Sequence, residues 1–354
     1  MPRPGPPRAR ALPALAAALL ATGCFPARYL AQAVGGEYAL LAAARPIPGV
    51  VAAHAAPGRV ARLLLSVHVV KAFGRAHGLA PTRSYERYAD LHRGAAVWVV
   101  QGSAPLAFRP KRWSLPIVGS IPYLGFFDRE AARRYGAALA REEGLDVDVR
   151  GAAAFSTLGW LGDPVLSTMI TDGDEALGEL ANTVLHESVH ATLYVNDQSA
   201  FDESLASFVA DRLTPAWLAQ VVGPDAPETR AWIAAQAAYR ARADRLHRAY
   251  LDLDAVYRSE ESDAWKAAEK ARLLAALREE LHVTGTLNNA TLAGHVAYDS
   301  GGPSFERLLS ACRTWPRFMA ALATLGPADF GGRQQADFGP AVDRLAQGGC
   351  AAKR

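Results

Sequence analysis

Residues 174 to 194 read DEALGELANTVLHESVHATLY, and their apolar residues recur at the spacing of one helix face. The residues on that face are Leu177, Leu180, Ala181, Val184 and Val189. Three acidic residues stand at the start of the stretch: Asp172, Asp174 and Glu175. Negative charge is favourable there, because the N-terminus is the positive end of the helix dipole. The pattern therefore predicts a helix over residues 174 to 194.

The motif His186-Glu187-Ser188-Val189-His190 lies on this predicted helix. Two histidines four positions apart project from one helix face about one turn apart, which is the spacing at which two imidazoles can bind one zinc ion. Glu187 lies beside them and can take a proton from a water molecule that the metal activates. The motif predicts a zinc site with Glu187 as the catalytic base, and the alternative is a pair of ordinary surface or core histidines.

A candidate for the third protein ligand follows on a second helix, after the polar turn Asn196-Asp197-Gln198-Ser199. The apolar stripe of this helix consists of Phe201, Leu205, Phe208 and Val209. Glu203 lies beside the stripe, and a short connection would let the two helices pack side by side and direct Glu203 to the metal. The alternative role for Glu203 is to cap its helix. Acidic residues that could orient the histidines are Asp197, Asp202 and Asp211.

The first residues have the layout of an export signal. Arg3, Arg8 and Arg10 precede the apolar run from Ala11 to Ala21, and no acidic residue occurs before Glu37. The run is too short to span a bilayer and ends at Thr22-Gly23-Cys24, which is similar to a bacterial lipoprotein processing site. We therefore expect residues 1–23 to be a signal peptide and Cys24 to be lipidated, which would anchor the protein in the cell envelope facing the periplasm. The alternative is an ordinary secretory leader with an incidental cysteine.

Composition excludes several classes of protein. The chain has 354 residues, of which 50% are hydrophobic, so it can bury a core and is a folded protein. Its net charge is only +3 and no basic run dominates, so nothing indicates nucleic-acid binding. Cys312 and Cys350 lack the spacing of a zinc or redox pair. In an exported protein they could form a disulfide or remain free thiols.

The remaining segments predict an α+β fold that is mostly helical. Short strand-like runs occur at 95–100, 117–123 and 147–155, with a helix from Arg129 to about Glu143 that ends at Gly144. Helices are expected before residue 78, interrupted by loops at Gly35-Gly36 and at residues 46 to 57. A long helical hairpin is expected from Pro227 to Leu281. We expect one domain over 24–354, whose parts are 24–170 with helices and a small sheet, 171–225 with the zinc-site helices, 226–285 with the hairpin, and 286–354 with further helices.

Several longer motifs accompany the histidines. They are Tyr29-Leu30-Ala31-Gln32-Ala33 with Gly35-Gly36, Ala44-Arg45-Pro46-Ile47, Ala154-Phe155-Ser156-Thr157-Leu158-Gly159-Trp160 with Asp163-Pro164, Phe201-Asp202-Glu203-Ser204, and Leu287-Asn288-Asn289-Ala290. Together they resemble a bacterial family of zinc aminopeptidases, most of which are lipoproteins. One departure is Asp202, where that family usually has Asn.

The resemblance implies a zincin-like fold, in which the active-site helix lies under a small sheet whose edge strand pairs with an extended peptide substrate. It implies zinc-dependent peptide hydrolysis, and the alternatives are a zinc endopeptidase or a zinc-binding envelope lipoprotein without turnover. The GxMEN motif of related aminopeptidases is absent, so candidates for binding the substrate's amino group are Glu142, Glu143, Asp146 and Asp148. Candidates for stabilising the oxyanion are Tyr123, Tyr298 and His295.

Overall fold

The computed structural model describes residues 25–115, 119–154, 162–293, 301–335 and 337–350. The predicted signal peptide, Cys24, His295 and Tyr298 lie outside these residues, as do residues 155 to 160 of the long motif before Asp163. The described ranges include both histidines of the motif, Glu203 and the whole of the predicted hairpin.

Helices make up most of the fold, which confirms the predicted α+β class with a helical majority. In chain order they are α1 (Phe25–Ala43), α2 (Ile47–Ala52), α3 (Gly58–Ala76), α4 (Arg129–Glu143), α5 (Ala176–Thr192), α6 (Ser199–Val221), α7 (Pro227–Arg258), α8 (Asp263–Glu280), α9 (Asn289–Ala293), α10 (Gly302–Cys312), α11 (Trp315–Leu322) and α12 (Gly339–Gln347). The strands are β1 (Arg45–Pro46), β2 (Arg87–Ala89), β3 (Val97–Ser103), β4 (Trp113–Leu115), β5 (Gly119–Ile121), β6 (Leu124–Phe126), β7 (Asp146–Ala152) and β8 (Val165–Leu166).

The strands form three small sheets. In the first, β3 lies between β6 and β7 and is antiparallel to both, with Val100 opposite Leu124 on one side and Val149 on the other. The second has the order β1-β2-β8, in which β8 is parallel to β2, and the third is the hairpin β4-β5. Because the sheets are short, most of the core is made by helices.

Helix α4 covers one face of the β6-β3-β7 sheet. Asp128 caps its first turn by accepting the N–H of Ala131 at 2.6 Å, and Gly144 ends it in the left-handed conformation at φ 65°. A Cβ on Gly136 would lie 2.7 Å from Val149, so this glycine lets the helix approach the sheet closely. Val149 and Val100 therefore face α4, and the alternate residues of both strands face the opposite side.

The predicted helix around the histidines is α5, and it lies in the main core. Leu180, Val184, Leu185 and Val189 have no exposed surface. Helix α3 packs against α5 through Gly74, where an added Cβ would lie 3.3 Å from Leu185. Burial on this scale fixes the position of the helix and of the side chains that it carries.

The predicted helical hairpin is confirmed as α7 and α8. Ser262 caps α8 by accepting the N–H of Trp265 at 3.3 Å, directly after the short connection that follows α7. Leu253 and Leu277 belong to a separate apolar cluster between the two helices and α9. The charged outer face is solvated, as the interspersed pattern indicates.

The predicted loop at Gly35-Gly36 is wrong, because both glycines lie within α1. A Cβ on Gly36 would lie 2.1 Å from the ring of Phe127, so the glycine is needed for close packing. The second predicted loop, at residues 46 to 57, contains the short helix α2. Cys312 and Cys350 form a disulfide, which decides between the two alternatives left open for them.

No helix among the described residues combines the length and the apolar character needed to cross a membrane.

Candidate metal centre

Helix α5 presents His186 and His190 on one face. Their Nε2 atoms lie 3.2 Å apart, and the two rings are nearly perpendicular at 80°. The side chain of His190 is only 3% exposed and that of His186 is 21% exposed, so one histidine lies against the core and the other toward solvent. Both nitrogens therefore point at the same small volume beside the helix.

Helix α6 brings Glu203 to the same volume. Its Oε2 lies 3.3 Å from Nε2 of His186, and its Oε1 lies 3.6 Å from Nε2 of His190. Phe201 and Leu205 on the same helix are fully buried, and α6 packs along α5. The structure therefore brings together the three residues that the sequence proposed as ligands.

The spacing of these atoms matches a tetrahedral ligand set. Zinc binds imidazole nitrogen and carboxylate oxygen at about 2.0–2.1 Å, which separates neighbouring ligand atoms by about 3.3 Å in a tetrahedron. The separations of 3.2, 3.3 and 3.6 Å in this cluster are close to that value. His186, His190 and Glu203 could therefore hold one metal ion, and among the described residues they form the only such group of three or more His, Cys, Asp or Glu side chains.

The charges within the cluster favour the ionised carboxylate. Burial opposes ionisation of Glu203, but hydrogen bonds from His186 and His190 hold its pKa at about 2. Burial likewise opposes the charged form of His190, yet the Glu203 carboxylate raises the pKa of this histidine. A carboxylate that is ionised at neutral pH is the form that binds a cation.

Asp202 precedes Glu203 on α6 and is 1% exposed. Its Oδ1 accepts the N–H of Val195 at 2.9 Å, whereas its Oδ2 and Nδ1 of His190 have no hydrogen-bond partner among the described residues. Burial raises the pKa of Asp202 to about 7, although the Val195 N–H and the charge of His190 oppose this rise. Of the three acidic residues considered near the histidines, Asp202 is therefore the one placed to influence His190.

The other two acidic residues have different partners. Asp197 pairs with Arg333 at 3.0 Å, and Asp211 accepts a hydrogen bond from Asn182 at 3.0 Å. Both are therefore bound to groups other than the two histidines.

Glu187 is half-buried on α5 beside the cluster, and a tyrosine that the sequence did not single out lies near it. Tyr85 is 3% exposed, and burial raises its pKa well above the usual value, with further contributions from the charges of Glu187 and Asp163. No sequence signal pointed to Tyr85, because its position depends on a left-handed backbone at φ 66° and on the hydrogen bond from its N–H to the carbonyl of Asp163 at 2.6 Å.

The second face of the β6-β3-β7 sheet carries polar side chains. On that face Arg150 donates hydrogen bonds to Oε1 of Gln101 at 2.7 Å and to Oδ2 of Asp148 at 2.8 Å. Burial raises the pKa of Tyr123, the charge of Glu203 adds to that rise, and the charge of Arg150 opposes it. Tyr123 is 48% exposed, and it is the only one of the three oxyanion candidates that lies among the described residues.

One edge of this sheet is closed by α1. The hydroxyl of Tyr29 accepts the N–H of Gly125 at 3.1 Å, and Gln32 donates to the carbonyl of the same glycine at 2.9 Å. Gln32 also accepts the N–H of Phe127 at 3.3 Å. Two residues of the Tyr29-to-Ala33 motif thus occupy the outward-facing backbone groups of β6.

The opposite edge is formed by β7, which has no strand partner beyond it among the described residues. Asn288 donates to the carbonyl of Val147 at 2.9 Å near the start of this strand. Asn289 donates to the carbonyl of Ala104 at 2.9 Å and accepts the hydroxyl of Tyr257 at 2.7 Å. The Leu287-to-Ala290 motif therefore fixes the first part of β7 and leaves the rest of its edge unpaired with any described strand.

A comparison with protein-family models finds a match, described as "Putative aminopeptidase", over residues 28–336. No curated protein and no solved structure matches the chain significantly. The matched range contains α5, α6 and all the motifs on which the resemblance depended. Because the match spans most of the length of the chain, the chain belongs to this family of putative aminopeptidases.

Proposed function

We propose that the protein is a zinc-dependent peptidase that acts as an aminopeptidase. The observation that carries this proposal is the convergence of His186, His190 and Glu203, with separations that suit a tetrahedral ion, beside the carboxylate of Glu187. Membership of the family supports peptide hydrolysis as the reaction.

The ligand set has one carboxylate and two neutral imidazoles, so a net positive charge remains on a divalent ion bound there. When bound there, such an ion would supply a Lewis acid that lowers the pKa of a water molecule and polarises a carbonyl group. In the proposed mechanism Glu187 accepts a proton from the attacking water and then donates it to the leaving amine. Asp202 acts on His190 through its charge, because no hydrogen bond joins the two side chains.

The substrate is proposed to bind as an additional strand on β7. The edge of β6 is occupied by Tyr29 and Gln32, whereas the outward-facing backbone groups of Val149 and Gly151 on β7 have no described strand beside them. An extended peptide could pair with these groups, because main-chain hydrogen bonds supply affinity without regard to sequence. This arrangement suits an enzyme that accepts many peptides.

The protein is further proposed to act in the cell envelope, attached through a lipid on Cys24. Helix α1 begins at Phe25, the next residue, so an anchor there would hold the folded part close to the membrane surface. The disulfide between Cys312 and Cys350 supports an oxidising compartment such as the periplasm.

The direct test is Glu187→Gln, assayed on a peptide library with zinc content measured in parallel. We expect zinc to remain bound and hydrolysis to fall by about 10²- to 10⁴-fold, the usual contribution of a general base. Glu130→Gln is the matched control, because Glu130 is an exposed acid on α4 that pairs with Arg133. Full activity of Glu187→Gln would contradict the mechanism.

Two other results would redirect the proposal. Zinc binding without cleavage of any library peptide by the wild-type chain would favour the scaffold alternative. Cleavage of N-terminally blocked peptides at internal bonds would favour an endopeptidase.

A further inference from the structure

A cleft lies along α3, and neither the three candidate metal ligands nor Glu187 line it. Its volume is about 650 Å³, which falls within the range of about 300–1,000 Å³ that is usual for small-molecule sites. One wall of the cleft is α3, and the rest is formed by β1, the start of α2 and residues 85–87. The cleft is therefore a second place on this chain where a small ligand could bind.

Four side chains of α3 form a row along this cleft. Leu64, His68, Lys71 and Arg75 follow one another at intervals of three or four residues, which places them on one face of the helix. At a rise of about 1.5 Å per residue, the row extends about 17 Å from Leu64 to Arg75. It begins with an apolar side chain and ends with two cationic ones.

The apolar end of the cleft is made by side chains from three elements. Leu64 and Val67 are buried and form its base, and Leu65 beside them on α3 is 43% exposed. Pro46 of β1 and Ile47 of α2 line the same cleft. An exposed apolar side chain in a concave site is stabilised when an apolar ligand removes it from water.

The cationic end contains one carboxylate, and it is already paired. Lys71 is almost fully buried, and its Nζ donates to the carbonyl of Ser84 at 2.9 Å and to Oε1 of Glu86 at 3.2 Å. Glu86 is the only acidic side chain among the described residues that line the cleft. Its charge is therefore balanced by Lys71.

Two arginines that line the cleft have no acidic partner. The exposed guanidinium group of Arg75 has no hydrogen bond or ion pair with any described residue. Arg87 donates to the carbonyl of Ala44 and forms no ion pair within the described part of the chain. A guanidinium group has planar, paired N–H donors that match the two oxygens of a carboxylate. The cleft thus has excess positive charge beside its apolar wall.

We propose that this cleft binds a long-chain carboxylate, with its head group at Arg75 and its hydrocarbon chain along Leu64 and Leu65. An apolar wall that ends in unpaired cations matches a molecule that is apolar over most of its length and carries one negative charge at its end. A purely apolar ligand would leave the guanidinium groups unpaired, and a small anion would leave the apolar wall uncovered. The site is separate from the candidate metal centre, so it does not depend on the proposed peptidase function.

Calorimetric titration of the full chain with octanoate, decanoate and decanol tests the proposal. One decanoate should bind per chain, and it should bind more tightly than decanol. It should also bind more tightly than octanoate, by about two- to fourfold for each added CH₂ group, because complete burial of one such group is worth about fourfold in affinity. Absence of saturable binding, or equal affinity for decanoate and decanol, would overturn the proposal.

Two pairs of variants on α3 locate the ligand. Arg75→Glu replaces an attraction by a repulsion, so it should weaken decanoate binding by about fivefold or more and leave decanol binding unchanged. Ala72→Phe fills the cleft and should weaken the binding of both by about tenfold or more. The controls are Arg62→Glu and Ala76→Phe, at exposed positions of the same helix that do not line the cleft, and both should bind decanoate as wild type does.

Circular dichroism checks that each variant folds. Equal weakening by Arg75→Glu and Arg62→Glu would mean that only the net charge of the chain matters, which contradicts a head group at Arg75. Decanoate binding that survives Ala72→Phe would place the ligand outside the cleft. Tighter binding of decyl phosphate than of decanoate would show that the head group is a phosphate and that the carboxylate assignment is wrong.

Discussion

Nε2 of His186 on α5 lies 3.3 Å from Oε2 of Glu203 on α6. No regular spacing in the sequence connects these two atoms, because a turn separates the helices that carry them. They meet because the apolar faces of both helices are buried in the same core, where Val189 and Leu205 have no exposed surface. The candidate metal centre is therefore a product of helix packing as much as of the histidine motif.

Removing a ligand should release the metal without unfolding the chain. Glu203→Gln and His186→Ala should each weaken zinc affinity by at least about 100-fold. The first replaces a charged ligand by a neutral amide, and the second removes a ligand altogether. Competition with a zinc chelator measures the change, and far-ultraviolet circular dichroism checks the fold. Affinity equal to that of Glu130→Gln would show that the ion is bound elsewhere.

Asp202 should support the fold through its hydrogen bond to Val195. Asp202→Ala leaves that buried N–H without an acceptor and should cost about 1–3 kcal/mol of the free energy of unfolding, whereas Asp202→Asn keeps the acceptor and should cost less. Urea denaturation of the two variants measures the difference. An equal loss in both would mean that the charge of Asp202, and not its hydrogen bond, stabilises the turn.

The sequence predicted those parts of the fold in which one pattern is repeated over many residues. The periodicity from Leu177 to Val189 and the charged hairpin from Pro227 to Leu281 correspond to observed helices, because amphipathic order over several turns leaves little choice of structure. Short strands such as β2 and β8 were missed, since two or three residues are too few for a pattern and their pairing depends on distant partners.

The same limit applied to the site. The two histidines could be named because their spacing has a chemical meaning, and Glu203 could be named because it lies on the next predicted helix, but the burial of Tyr85 and Glu37 could not be predicted. Tyr85 has an unusual left-handed backbone conformation, and Glu37 is distinctive only because its buried oxygens have no hydrogen-bond partner among the described residues. Gly36 gave a misleading loop signal, since its role is close packing against Phe127.

The uncompensated carboxylate of Glu37 should make the stability of the ligand-free protein fall as pH rises. Its pKa is raised from 4.5 to about 7, so the folded state favours the protonated acid; this stabilisation is complete below pH 4.5 and is lost as pH rises through about 7. Glu37→Gln should therefore be more stable than wild type at pH 8, by roughly 2–3 kcal/mol, and equal to it near pH 4.5. Thermal unfolding of both proteins across this pH range provides the measurement. A difference in stability that does not vary with pH would show that burial does not raise the pKa of Glu37.

The disulfide should stabilise the C-terminal helices. Cys312 at the end of α10 and Cys350 after α12 are separated by 38 positions, and closing a loop of that length reduces the entropy of the unfolded chain by an amount worth about 3–4 kcal/mol. Reducing agent should lower the melting temperature of wild type but not of the double variant Cys312→Ala, Cys350→Ala. Thiol titration verifies that reduction is complete. A wild-type melting temperature that does not change on complete reduction would contradict this prediction.

Zinc held by His186, His190 and Glu203 should be required for peptide hydrolysis. Its role can be measured by removing all metal from the full chain with a chelator and following hydrolysis of a free peptide as zinc is returned. We predict no activity without zinc and a linear recovery that reaches its plateau at one zinc ion per chain, as expected for one three-ligand site. Activity that survives complete metal removal, or a chain that takes up one zinc ion and still cleaves nothing, would show that this zinc-dependent mechanism is wrong.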